Sequence, residues 1–131
     1  MSEDGAHAEP VSGFKSRSGL VRILRATGYS WAGLRAAVRH EAAFPQELAL
    51  GLPLLALAWW LAPTRWEALV LSASILLVWI VELLNSGLEA LADAVSLQAH
   101  PLLGRAKDLG SAAVMVSLIL AVLTWAVVFW P

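Results

Sequence analysis

The sequence predicts an all-α membrane protein, with three transmembrane helices behind an amphipathic N-terminal segment, and three observations carry that prediction. Hydrophobic residues make up 59% of the 131-residue chain and charged residues only 15%, a balance suited to lipid as solvent. Apolar runs of spanning length cover about 46–62, 68–86 and 112–130. Trp59, Trp60, Trp66, Trp125 and Trp130 fall near the ends of those runs, where indole rings prefer the membrane interface.

Taken in order, residues 1–18 are acidic, contain Gly and Ser and hold no apolar core segment, so they read as a disordered tail and not as a cleaved signal peptide. Residues 19–131 form the membrane-embedded domain. From Gly19 to Phe44, Leu20, Ile23 and Leu24 share one helical face and Arg22 and Arg25 another. Gly28-Tyr29 reads as a break, after which Ser30 caps a second short helix carrying Leu34, Ala37, Val38, Arg35 and Arg39. Basic polar faces of this kind suit an anionic membrane surface. The first span runs from Gln46 to Ala62 with Pro53 inside it, and Pro63-Thr64-Arg65 ends it. The second begins at Ala68, stays lipid-like through Val81, then acquires Glu82, Asn85, Ser86, Glu89 and Asp93 with no breaker except Gly87, so this helix leaves the membrane while still helical. A polar connection through His100-Pro101 and GRAKDLGS leads to the third span, Ala112 to Trp130, whose only polar side chains are Ser117 and Thr124.

Charge sets the orientation. Lys15, Arg17, Arg22, Arg25, Arg35, Arg39, Arg105 and Lys107 lie on one side and only Arg65 on the other, which places the N-terminus in the cytoplasm and the C-terminus in the periplasm of a bacterial inner membrane. The net charge of −1 carries no nucleic-acid footprint. Absence of Cys excludes disulfides and thiolate chemistry. Neither a G-x-x-x-x-G-K-[ST] nor a G-x-G-x-x-G phosphate loop occurs, so any bound nucleotide is held by side chains and metal.

The chemistry-bearing residues gather where the second span meets the cytosol. At ~100° per residue, Glu82, Asn85, Ser86, Glu89 and Asp93 fall within an arc of roughly 100°, and Glu82 and Glu89 stand about 10 Å apart along the axis. Glu82 follows nearly four turns of apolar helix, and a carboxylate at that depth is a functional candidate, here as a general base. A hydrogen-bonding seam between helices is the alternative reading of the stripe. Glu89 and Asp93 are hard oxygen ligands of the type magnesium uses together with substrate phosphates, and Glu41 is placed to reach the same headgroup layer; a solvated helix end for the first two and a solvated polar face for Glu41 are the alternative readings. Lys107, on one face with Ser111, is placed to neutralise phosphate charge; the alternative is an interfacial anchor. His100 beside Pro101 has no second His at zinc spacing and reads as a loop residue. A base, metal-type carboxylates and a cation at one membrane face are the parts that phosphoryl transfer needs.

The segments GYSWAGLRAAVRHEAAFPQE, VELLNSGLEALAD and GRAKDLGSAAV resemble those of the prokaryotic diacylglycerol kinase family, without evident gaps from about Arg22 to Trp130. That resemblance implies an N-terminal amphipathic surface helix plus three transmembrane helices, assembled as a homotrimer with shared active sites. It implies ATP-dependent phosphorylation of diacylglycerol to phosphatidic acid, with Mg2+ as cofactor and ATP as co-substrate. Glu82 matches the family's catalytic base, and Glu41 and Glu89 its metal-binding carboxylates. Nucleotide is implied at Arg22, Tyr29, Glu41, Glu89, Gln98, Ala99, His100, Lys107 and Asp108. The lipid substrate is implied at Arg22, at Ala26, Thr27, Gly28, Tyr29, Ser30 and Trp31, at Arg35, Ala36, Ala37 and Val38, and at Ala43, Phe44, Pro45, Gln46 and Glu47, besides Glu82 and Ser111. Asn85 and Asp93 are supporting polar positions. Pro45, Ala94 and the Leu97-Gln98-Ala99 stretch with Pro101 depart from the family's better-known members, and they bear on adenine contacts.

Two other functions compete. An undecaprenol kinase of the same fold differs only in its acceptor, although HEAAF and WAGLRAA look more like the diacylglycerol type. A small multidrug-type transporter also uses a buried membrane Glu, but it needs neither Lys107-Asp108 nor the cytoplasmic carboxylate layer.

Overall fold

The computed structural model describes residues 19–130, so the expected disordered tail lies outside the described residues. Four helices follow one another, α1 (Gly19–His40), α2 (Ala43–Leu61), α3 (Arg65–Val95) and α4 (Pro101–Phe129). The chain divides into two units at Gly33/Leu34.

In the first unit, Gly19–Gly33 is helical throughout, which corrects the expected break. Gly28 has no positive φ, and Thr27 Oγ1 and Ser30 Oγ donate to the carbonyls of Ile23 and Ala26, at 2.9 and 3.0 Å. Ser30 therefore lies inside a helix and caps nothing. Its hydroxyl is satisfied four residues back, a bond that a helix interior tolerates.

In the second unit, α3 is the central helix, packed by α2 on one side and α4 on the other. Short connections make both pairs antiparallel. Thr64 opens α3 with a capping box: its Oγ1 accepts from Glu67 N–H at 3.3 Å and donates to Glu67 Oε2 at 2.8 Å. α3 thus begins three residues before the expected Ala68. α4 begins at Pro101, well before the expected Ala112, because His100 Nδ1 accepts from Leu102 N–H at 3.2 Å and Pro101 suits the first helical position.

All three helices are long and apolar enough to cross a membrane. At ~1.5 Å per residue the 31 residues of α3 extend about 46 Å, well beyond a hydrocarbon core of about 30 Å. The hydroxyls of Ser72, Ser74, Ser117 and Thr124 donate to carbonyls three or four residues back on their own helices, which keeps polar groups from lipid. Lipid tails give no hydrophobic drive between helices, so close packing of small residues holds the bundle. Ala58, Ala68, Leu71 and Ser72 are buried, and Gly51 lets α2 approach α3 closely. Trp59, Trp60, Trp66 and Trp130 are exposed at one end of the bundle, and the polar stripe of α3 occupies the other.

Candidate active site

Burial declines along the α3 stripe. Glu82 is only 6% exposed, Asn85, Ser86 and Glu89 are partly buried, and Asp93 is exposed. Asn85 Nδ2 donates to Glu89 Oε1 at 3.1 Å, which orients that carboxylate from one turn away. Asn85 Oδ1 is buried without a hydrogen-bond partner and lies against Gly110 of α4. Any Cβ at residue 110 would overlap it, so only glycine permits this approach.

Two further elements bring acidic groups to the same layer. Glu41, in the link between α1 and α2, and Glu89 both interact electrostatically with Glu82, as does Glu47 in the second turn of α2. Each of the three carries the same sign of charge as Glu82, a repulsion that a divalent cation would relieve. Among the described residues no three His, Cys, Asp or Glu side chains form a cage that holds an ion alone. Magnesium needs no such cage, because it is usually held by one or two carboxylates, waters and substrate phosphates. Glu41 and Glu89 fit that mode, and Glu89 keeps its Oε2 free of the Asn85 bond.

One helical turn beyond Glu89 a cavity of about 600 Å3, its lining mostly apolar, opens at the α3–α4 connection. Asp93, Gln98, Ala99, His100 and Lys107 line it. Lys107 Nζ donates to Asp93 Oδ1 at 2.5 Å, with side chains 40% and 49% exposed. Exposed pairs of this kind contribute little, so Lys107 is steered toward the cavity without being locked there. Gln98 N–H donates to Ser96 Oγ at 3.1 Å, which shapes the turn below the cavity.

The structure therefore gathers Glu41, Glu47, Glu82, Asn85 and Glu89 in one cluster, and Asp93, Gln98, Ala99, His100 and Lys107 in a second. Asp108 and Ser111 are exposed on α4 and line neither. Among the lipid-associated positions of this unit, Phe44 and Ala37 are buried, Pro45 is half-buried, and Arg35, Ala36, Val38, Ala43 and Gln46 are exposed. Arg22, Ala26 and Tyr29 share one face of α1 at spacings of four and three; with Thr27, Gly28, Ser30 and Trp31 they belong to the Gly19–Gly33 unit.

Sequence reasoning missed Gly110 and Trp79. Gly110 gave no signal distinct from any helical glycine. Trp79 did give one, since it is the tryptophan in the middle of an apolar run, where a buried indole N–H needs a partner. That partner is the main-chain carbonyl of Glu47, at 3.4 Å.

The family model described as prokaryotic diacylglycerol kinase matches residues 28–129. The chain is 48% identical over 113 residues to the diacylglycerol kinase of Escherichia coli K12, covering 86% of this chain and 93% of that protein. Against the diacylglycerol kinase of Pseudomonas aeruginosa PAO1 the identity is 51% over 117 residues, covering 89% and 95%. The diacylglycerol kinase of Haemophilus influenzae is 39% identical over 108 residues, covering 82% and 92%.

Proposed function

The chain belongs to the prokaryotic diacylglycerol kinase family, and on that premise we propose that it transfers the γ-phosphate of ATP to diacylglycerol, forming phosphatidic acid and ADP. The observation that carries this reading is the buried Glu82, surrounded by Glu41, Glu47 and Glu89 at the end of the bundle where the Lys107 cavity opens. A transferase between a lipid and a cytosolic nucleotide needs a base at interface depth and charge-neutralising groups nearer to the aqueous phase.

The lipid hydroxyl oxygen attacks the γ-phosphorus, a new O–P bond forms, and the bond to the β,γ-bridging oxygen breaks. Glu82 accepts the hydroxyl proton as that bond forms. Glu47 flanks the acceptor lipid. Glu41 and Glu89 would hold Mg2+, which when bound would supply positive charge against the phosphates. Asn85 orients Glu89, Lys107 moves from Asp93 to the phosphate chain, and Gln98 to His100 with Asp108 border the nucleotide. Arg22 and Tyr29 of α1 serve the nucleotide too, and Ala26 to Trp31, Arg35 to Val38, Ala43 to Gln46 and Ser111 surround the lipid.

The protein works as a homotrimer in the bacterial inner membrane, N-terminus in the cytoplasm and C-terminus in the periplasm. Three helices with so many exposed apolar side chains enclose neither substrate alone, which supports sites shared between subunits. The test is thin-layer analysis of the lipid product after purified protein in micelles receives Mg-ATP with diacylglycerol or undecaprenol. Phosphatidic acid is the expected product. Phosphorylation of undecaprenol alone would move the acceptor, and no phospholipid product from either would refute the kinase reading.

A further inference from the structure

The first turns of α2 lack the usual means of fixing a helix start. Ala42, at the N-cap, makes no side-chain hydrogen bond to the helix, and Pro45 has no N–H to offer. Yet Glu47, in the next turn, carries a carboxylate near enough to Glu82 for the two charges to interact. Something other than a cap sets the height and rotation of this segment.

Trp79 of α3 supplies two contacts that do so. Its Nε1–H donates to the main-chain carbonyl of Glu47 at 3.4 Å. Its ring edge lies on Gly51, where an added Cβ would stand 2.5 Å from Cζ2 and 3.0 Å from Cε2. Contact that close is possible only against glycine, so ring and helix backbone interlock. Trp79 is also less than one helical turn from Glu82. Glu47 Oε2, meanwhile, is buried and has no hydrogen-bond partner among the described residues. It borders a cavity of about 340 Å3 that Trp79, Leu50, Leu54 and Val78 line with apolar surface. A buried acceptor left open beside an apolar cavity is suited to a lipid that brings a hydroxyl donor.

We propose that Trp79 is a positioning residue for the acceptor lipid: by binding the Glu47 main chain and seating its ring on Gly51, it holds the open Glu47 carboxylate oxygen where it accepts a hydrogen bond from the lipid headgroup beside Glu82. This rests on the kinase reading above. It assigns Trp79 no contact with the reacting atoms, so the effect must be read through Glu47.

The test is steady-state kinetics in mixed micelles with lipid and ATP varied separately, on wild type, Trp79→Phe, Gly51→Ala, Glu47→Gln and the Trp79→Phe/Glu47→Gln pair. Trp79→Phe keeps an aromatic ring and removes one hydrogen bond, so the lipid KM should rise by about 3- to 10-fold while kcat and the KM for ATP stay within about 2-fold. Gly51→Ala keeps the indole but displaces it, and should give the same split. In the Glu47→Gln background the effect of Trp79→Phe should shrink below about 2-fold, because the group being positioned has changed. An unaltered lipid KM in Gly51→Ala and Trp79→Phe, an undiminished effect in the Glu47→Gln background, or a uniform loss of kcat overturns the proposal. So does a Trp79→Phe protein that no longer assembles while Gly51→Ala retains a normal lipid KM, because Trp79 would then be structural only. Wild-type turnover of diacylglycerol in the same micelles separates these outcomes from failure of the kinase reading itself.

Discussion

Replacing Glu82 by Gln isolates the chemical step. The side chain is only 6% exposed, and Gln has nearly the same volume, so the substitution opens no cavity. It also removes one of four clustered negative charges, which lessens repulsion from Glu41, Glu47 and Glu89. Stability should therefore hold level or rise. Loss of the base should lower turnover by at least about 10²-fold, which is about 2.7 kcal/mol of barrier at ~1.4 kcal/mol per tenfold. The two readouts are the transfer of radioactive phosphate to diacylglycerol at saturating substrates and the thermal unfolding midpoint in the same detergent. A structural polar seam predicts the reverse pattern, with Gln tolerated in activity. Near-normal turnover by a well-folded Glu82→Gln protein would refute the catalytic assignment, and a collapse in the unfolding midpoint would refute the charge argument.

Lys107→Leu should raise the KM for ATP severalfold while shifting the unfolding midpoint little, because its exposed bond to Asp93 is screened by solvent and contributes little; unchanged ATP kinetics would leave Lys107 an anchor only. Glu41→Gln and Glu89→Gln should each raise the magnesium concentration needed for half-maximal rate, and unaltered magnesium dependence in both would remove the metal assignment. Gly110→Ala should destabilise by about 1–3 kcal/mol through the overlap with Asn85 and also raise the magnesium requirement, since Asn85 must release Glu89; a wild-type unfolding midpoint would contradict the close approach. A periplasmic reporter fused after Trp130 should be active, and a cytoplasmic reporter active at that position would overturn the topology.

The helices were legible because lipid as solvent imposes long apolar runs, and those runs need no tertiary information to be seen. Their ends were less legible. The Thr64 capping box and the His100 cap are signals of four and three residues that lie outside the apolar pattern, so α3 and α4 both start earlier than hydropathy indicates. The α1 break failed for a different reason: Gly28 and Ser30 are weak breakers whose local preference yields to a helix that satisfies the Ser30 hydroxyl internally. On the site, periodicity along one helix placed Glu82, Asn85 and Glu89 together, since spacing within a helix is fixed by geometry. The approach of Glu47, the clasp of Trp79 and the need for Gly110 arise between helices, and no single-chain spacing encodes them. Only the family resemblance pointed to Glu47 and to the α1 positions.

α3 carries within one unbroken helix both the buried Glu82 proposed as base and, about 16 Å along its axis, the aspartate of the Lys107 cavity. A rigid rod of that kind acts as a depth gauge. It cannot compress, so the plane in which a lipid hydroxyl floats must match the height of Glu82 above the mid-bilayer. On the proposed assignment of Glu82 as base, thinning or thickening the surrounding bilayer then moves the acceptor past that carboxylate while the proposed nucleotide end is unaffected. On this account acyl-chain length in the host membrane governs how often a substrate arrives at the reactive level, and bilayer thickness becomes a control on rate that no residue of the protein has to sense.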